Sequence, residues 1–194
     1  MGAVRLRTPE ARLTERRGPD PSLLARACAG DHAAFATLVE AYYPRALRFA
    51  TQLLGDAHDA EEAVQDSWLR VHAALPRFIA GAPFDPWFFR ILANRCRTAQ
   101  AKRGRFRAVV EVGDLPANAA TPAAEHDDWT AEVHRALARL PAEQREAFVL
   151  RHVEDLDYED IAAATGVGLS AVRMRVKRAC DALRLLLDEA TTHG

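Results

Sequence analysis

Apolar residues in this chain recur at steps of three and four along most of its length, the period of a helix with one buried face. No sustained apolar–polar alternation accompanies them, and no Asn-Gly or Asp-Gly turn joins two such runs. The one β-rich scrap, AVVEV at Ala108 to Val112, is too short to found a sheet. The fold class is therefore all-α. One stretch interrupts the pattern: Glu111 to Asp128, EVGDLPANAATPAAEHDD, has acids, prolines and small residues but no Lys or Arg. It reads as a flexible, acidic linker. The expected organisation is two small helical domains, at 21–104 and 129–190, joined by a linker at 105–128 and preceded by an extension at 1–20 expected to be disordered.

In the first block Asp31 is positioned as an N-cap, and Phe35, Leu38, Val39 and Tyr42 repeat behind it. Pro44 is expected to bend or restart that helix, which resumes at Leu47, Ala50 and Leu54 and stops at Gly55. The next helix is expected from Asp59, with Ala60, Val64, Trp68, Val71 and Leu75 as its stripe. A last helix, WFFRILANRCRTAQAKRGR, closes the block. In the second block Val133, Leu137 and Leu140 share one stripe, and Pro141 opens the following helix.

At 194 residues, 49% of them hydrophobic and 27% charged, the chain is globular in composition. No apolar run approaches the ~20 residues of a membrane helix, so no membrane insertion is expected. The basic N-terminus lacks the apolar core of a secretory signal. Cys28, Cys96 and Cys180 are scattered and odd in number, which suits a reducing cytosol, so the expected location is cytoplasmic. HExxH, GxSxG, a phosphate-binding glycine loop and a Cys/His ligand set are all missing from the sequence. An enzyme is not expected, nor a catalytic residue, a metal or a cofactor.

The chain carries a formal net charge of only -1, yet one helix near its end holds Arg173, Arg175, Lys177, Arg178 and Arg184 against the single acid Asp181. Stepping 100° per residue puts Val172, Val176, Ala179, Leu183 and Leu186 on one face. Arg173, Met174, Lys177, Arg178 and Asp181 fall on the other, with Ser170 near the start and Arg175 on the flank. Upstream, Ile161 is apolar, Ala162 is small where two helices would cross, and Gly166 sits where a turn needs positive φ. With Val167 and Val172 as plugs, the pattern is a helix-turn-helix, whose second helix enters a DNA major groove. A solvated basic face is the bland alternative, and the turn features in register weigh against it.

A second basic cluster, Arg95, Arg97, Lys102, Arg103, Arg105 and Arg107, follows Trp87, Phe88 and Phe89. Cations beside aromatics suit single-stranded DNA, although most of the three rings are expected in the core. Asn94 is an amide able to bond a base edge in two directions. The helix at Asp59 shows the opposite sign, with Asp59, Glu62, Gln65, Asp66 and Arg70 against its stripe. Such an acid-led face suits a basic protein surface rather than DNA.

Three segments together, DHAAFATLVEAYYPRALRFATQLLGDAHDAEEAVQDSWLRVH, PRFIAGAPFDPWFFRILANRCRTAQAKRGR and ALARLPAEQREAFVLRHVEDLDYEDIAAATGVGLSAVRMRVKRACDALRLLL, closely resemble the extracytoplasmic-function sigma factors. The resemblance runs from about Pro21 to Leu187. It implies a promoter-specificity subunit of bacterial RNA polymerase, with a sigma-2 helical bundle and a sigma-4 helix-turn-helix. By resemblance, Asp59, Glu62, Gln65 and Asp66 would dock on the β′ clamp helices of core polymerase, and the second domain would meet the β flap. Trp87, Asn94, Arg95, Arg97, Lys102 and Arg103 would serve recognition and melting of the promoter −10 element, where a flipped base is captured in a loop. Arg151, Ser170, Arg173, Met174, Lys177 and Arg178 would read the −35 element. The linker would cross the RNA-exit path, and an anti-sigma factor is an expected partner.

Two departures stand out. Ala171 and Met174 replace hydroxyl-bearing residues of many relatives, so a different −35 preference is expected. The basic extension, Met1 to Pro19, has no clear family counterpart. A stand-alone helix-turn-helix regulator is the alternative function, but it leaves the acid-led helix and the aromatic–basic segment without a role.

Overall fold

The computed structural model describes residues 18–110 and 128–193. Its helices are α1 (Pro21–Cys28), α2 (His32–Leu54), α3 (Ala57–Ala74), α4 (Phe84–Val110), α5 (Asp128–Arg139), α6 (Ala142–His152), α7 (Tyr158–Thr165) and α8 (Leu169–His193), with a 3-10 turn at Leu75–Arg77. Among the described residues there is no strand. The AVVEV scrap begins inside α4, which runs to Val110, and the rest of the expected linker and the N-terminal extension to residue 17 lie outside the described residues.

Aspartates set the helix starts of the first domain. Asp20 accepts from the backbone N–H groups of Ser22 and Leu23, and Asp31 from those of Ala33 and Ala34. Each such cap satisfies donors that the first turn leaves orphaned and contributes about 1 kcal/mol. Asp56 does the same for α3 by accepting from Asp59 N, so that helix starts two residues earlier than the apolar stripe indicated. Pro44 neither ends nor restarts α2, which continues through it. The helix loses one backbone bond there, but Leu38 and Tyr42 before it and Ala46, Phe49 and Ala50 after it are all buried, and that packing holds both halves in one helix. Gly55 ends α2 at φ 67 in the left-handed region.

The core of this domain is aromatic. Tyr42 lies edge-on to Phe84 and Phe88 at 5.2 and 5.4 Å between ring centres, and Phe49 meets Phe89 at 5.2 Å. Phe88 and Phe89 are fully buried, while Trp87 is only half-buried and packs against Phe78 at 4.9 Å. The whole α3 stripe of Ala60, Val64, Trp68, Val71 and Leu75 is buried as its spacing requires.

In the second domain α7 and α8 form the helix-turn-helix. Gly166 closes α7 at φ 73, and Ile161 and Val172 fill the angle between the helices with no exposure. Val176, Ala179 and Leu183 carry the buried face of α8 onward against α5 and α6. The two domains are also packed on one another: α4 lies against α7, and Val149, Leu150, Leu156, Ile161, Val172 and Val176 belong to one apolar cluster with the first domain's core. A smaller cluster, Ala136, Leu137, Leu140, Ala179 and Leu183, ties α5 to α8. Two bodies on a tether were the expectation; the described residues form a closed pair.

Candidate nucleic-acid interface

Three surfaces follow from this packing. The first is the outer face of α8, which buries Val172 and Val176 and therefore turns Ser170, Arg173, Met174, Lys177 and Arg178 to solvent. Met174 is 46% exposed, unusual for an apolar side chain flanked by cations. Arg173 is steadied from below, its guanidinium lying 5.6 Å from the ring centre of Tyr158 at the start of α7. Arg151 stacks on the same ring at 4.9 Å. Arg151 departs from the other expected contacts, because it donates to Leu156 O at 2.8 Å and lies 3.7 Å from Asp157. Its guanidinium closes the loop between α6 and α7. Arg175, on the flank of the stripe, pairs with Glu143 of α6 at 2.5 Å.

The second surface is α4 with the loop before it. Asn94 is exposed, and its Oδ1 accepts from the Arg97 guanidinium one turn later. Arg97 also points at the last carbonyls of α7, Thr165 O at 3.3 Å and Ala164 O at 3.5 Å, and lies 3.6 Å from the buried carboxylate of Glu146. Arg103 donates to Leu54 O at 3.3 Å and pairs with Asp59 at 3.4 Å, so two residues expected at different partners meet one another. Arg95 is half-buried and Lys102 exposed. Ahead of the helix Ile79 is 75% exposed at the rim of the Phe78–Trp87 pair.

The third surface is α3. Glu62, Gln65 and Asp66 are exposed and Asp59 half-buried, as the acid-led face requires. Sequence reasoning passed over Leu69, which continues the 59–62–66 line by another turn and is 71% exposed. An apolar side chain off the buried stripe was the signal that could have found it.

Also missed from sequence was a charged cluster at the domain junction. Arg45 of α2 donates to Glu154 at 2.5 Å, to Glu154 O at 3.1 Å and to Asp85 at 2.7 Å, and lies over the Phe89 ring at 4.8 Å. Tyr42 Oη donates to the other Asp85 oxygen. Burial pushes the Glu154 carboxyl up to about 7 against the attraction of Arg45. Burial likewise raises Glu146 above the usual carboxylate range, with Arg97 and Arg175 opposing.

Comparison with known proteins identifies the family. The model of sigma-70 region 2 matches residues 38–106, and that of sigma-70 region 4 matches residues 130–183. The chain is 35% identical over 149 residues to the ECF RNA polymerase sigma factor EcfG of Rhodopseudomonas palustris, covering 74% of this chain and 80% of that protein. The chain belongs to the ECF sigma factors of the sigma-70 family. It is also 37% identical over 163 residues to the ECF sigma factor SigE of Mycolicibacterium smegmatis, covering 80% of this chain but only 63% of that longer protein. Among solved structures, the sigma factor RpoE of Bartonella quintana, in complex with the anti-sigma factor NepR, matches at TM-score 0.70 and 30% identity over 79% of this chain and 96% of that one. CnrH, in complex with the cytosolic domain of CnrY, matches at 0.66 and 28%, covering 88% and 97%. Like these ECF sigma factors, the chain is an alternative RNA polymerase sigma factor. No helix among its described residues is long and apolar enough to cross a membrane.

Proposed function

We propose that this ECF sigma factor docks on core RNA polymerase through α3, reads the −35 element with the outer face of α8 and holds the melted −10 strand on α4. The observation that carries the reading is the division of the surface by charge. The acid-led α3 face, with Leu69 continuing its line, suits a basic protein helix, where opposite charge steers encounter and an apolar anchor supplies affinity. The α8 face carries three cations and no acid among Ser170, Arg173, Met174, Lys177 and Arg178. Arginine there bonds two acceptors on a guanine edge, and lysine neutralises phosphate. Met174 offers a thymine methyl an apolar contact but no hydrogen bond, which sets the −35 preference apart from that of relatives with a hydroxyl at this position.

On α4, Asn94 is the amide that bonds the edge of a flipped base, Arg95, Arg97, Lys102 and Arg103 hold phosphates, and Trp87 with Ile79 walls the loop side. Each contact is modest and weakened by salt. Tethering all three to one polymerase raises their effective concentration, so weak intrinsic DNA affinity is expected of the free chain. An anti-sigma factor is proposed as a further partner, in line with the complex in which RpoE was solved with the anti-sigma factor NepR. The chain's role needs no chemistry of its own, since phosphodiester synthesis belongs to the polymerase.

The test is reconstituted transcription. Core polymerase plus the chain, given a randomised promoter library, is expected to initiate from a narrow class of sequences with two conserved boxes. Asn94→Ala would relax or abolish the downstream box, and Arg173→Ala the upstream one. Initiation no more selective than core polymerase alone, with tight duplex binding by the free chain, would instead make it a stand-alone helix-turn-helix regulator.

A further inference from the structure

We propose that Met174 is a modification site on the promoter-reading face: a hypohalous acid converts its thioether to the sulfoxide and thereby weakens use of the −35 element. The proposal rests on the assignment of the outer face of α8 to that element. Met174 is 46% exposed, on a face whose Arg173, Lys177 and Arg178 are exposed as well. Val172 and Val176, two residues to either side, are buried, so the helix itself holds the sulfur outward. The chain has only two methionines, and the other is Met1. Its thiols are sheltered. Burial pushes Cys96 up to about 12 and also raises Cys28 and Cys180 above the ordinary thiol value. A thiol attacks oxidants as the thiolate, so all three are held in the less reactive form at neutral pH. A thioether has no proton to lose, and its oxidation follows exposure. Among the described residues, the sulfur best placed for a two-electron oxidant therefore stands in the middle of the proposed reading face. Hypohalous acids fit it because they deliver an electrophilic halogen to a neutral sulfur lone pair and require no thiolate.

The reaction balances without a cofactor. Met174 and hypochlorous acid give the sulfoxide, chloride and a proton: two electrons pass from sulfur to chlorine, and an S=O bond forms. The product differs from its parent in two respects that matter on this face. An apolar group suited to a thymine methyl becomes a polar one, and burying it against a base then costs free energy. The new oxygen is also a strong acceptor. Lys177 and Arg178 lie three and four residues on, one turn further along the same face and leaning back toward the sulfur. Their N–H donors can bond the sulfoxide oxygen, which draws them away from phosphate and guanine. Arg173 is less affected, since its guanidinium rests 5.6 Å from the ring centre of Tyr158. Oxidation thus acts on the central contact and two of its neighbours, and it spares the fold because Met174 lies outside the buried stripe of α8.

The experiment oxidises the full chain alone with hypochlorous acid, quenches with free methionine, treats it with dithiothreitol and then adds untreated core polymerase. Dithiothreitol returns disulfides and sulfenic acids to thiols but leaves a sulfoxide in place. Fragment mass spectrometry reports the added oxygen at Met174. Initiation is compared on a promoter selected from the randomised library, with its upstream box intact or scrambled. Expected are sulfoxide at Met174 and a several-fold loss of the advantage that the intact box confers. Methionine sulfoxide reductase should restore that advantage, the oxygen leaving as water while the reducing dithiol becomes a disulfide. Met174→Gln, polar without oxidation, should show a loss of the same kind with no oxidant added. Met174→Leu, measured against its own untreated level, should not respond to the oxidant. Met174 left unmodified while other residues are oxidised overturns the site. Full modification with the box advantage unchanged overturns its effect, so long as Arg173→Ala still removes that advantage. If Arg173→Ala also leaves the advantage intact, the assignment of α8 fails and the proposal falls with it. An equal loss in oxidised Met174→Leu places the damage elsewhere and overturns the proposal alone.

Discussion

The two basic patches of this chain look alike in sequence and differ in what surrounds them. On α8 the cations project from a helix whose other face is buried, and Arg173, Lys177 and Arg178 meet solvent. On α4 the key cations are already spoken for: Arg97 by Glu146 and the α7 carbonyls, Arg103 by Asp59 and Leu54 O. Positive charge in a sequence marks affinity for phosphate, but its availability is decided by neighbours that come from distant parts of the chain. Here Arg97 and Glu146 are brought together only by docking of the two domains.

The sharpest way to break this contrast is on the open side. Arg173→Ala combined with Lys177→Ala removes two groups from α8, and each base-edge contact is worth about 1–3 kcal/mol. Transcription from promoters with a −35 box should fall at least ~tenfold toward the level of promoters lacking one. Unchanged −35 dependence would remove that face from DNA.

Next in size is the turn that sets the face. Gly166→Ala puts a Cβ on a residue at φ 73, a conformation that costs an L-residue about 1–2 kcal/mol. Thermal unfolding should report that loss. No atom lies within 4 Å of the new Cβ, so the effect is one of backbone strain and not of a clash.

A smaller effect is expected at Tyr158, which carries the guanidinia of Arg151 and Arg173 on its ring. Tyr158→Leu removes a cation–π support of about 0.5–1 kcal/mol, a few-fold loss of −35-dependent initiation, whereas Tyr158→Phe keeps the ring and should keep the activity. Equal losses in both would point to the hydroxyl instead.

The closed side has its own, smallest signature. Burial raises the Glu154 carboxyl to about 7 from 4.5, facing Arg45 and Arg48 of α2 and Asp85 of α4, so folding takes up a proton. Glu146, facing Arg97, Arg175 and Glu143, shifts in the same direction. The folded chain therefore gains stability as pH falls through about 7, keeps that gain below the unfolded value of 4.5, and loses it above neutrality. Thermal unfolding at pH 5.5 and 8 should show this contribution at the lower pH, with Glu154→Gln flattening the difference.

Much of the fold is legible in the sequence. The stripe Ala60, Val64, Trp68, Val71 and Leu75 and the plugs Ile161 and Val172 obey helical spacing, and all are buried. Local rules suffice where a residue's fate depends on its own helix. They fail where it depends on a capping residue or a remote partner. Asp56 moves the start of α3, and packing on both sides carries α2 through Pro44. Arg151 reads as one more cation beside a DNA-binding motif, yet it is folded onto Leu156 O and Tyr158. No periodicity reveals that Arg45 and Glu154, far apart along the chain, form one pair.

Docking on polymerase is tested most directly by binding of the purified chain to bacterial core RNA polymerase, followed by size-exclusion co-migration, with Asp66→Arg as the control. A stable complex is expected with the wild-type chain, weakened roughly tenfold or more by the charge reversal on the acid-led face. Failure to bind active core, together with tight binding of duplex DNA by the chain alone, would contradict the sigma-factor role.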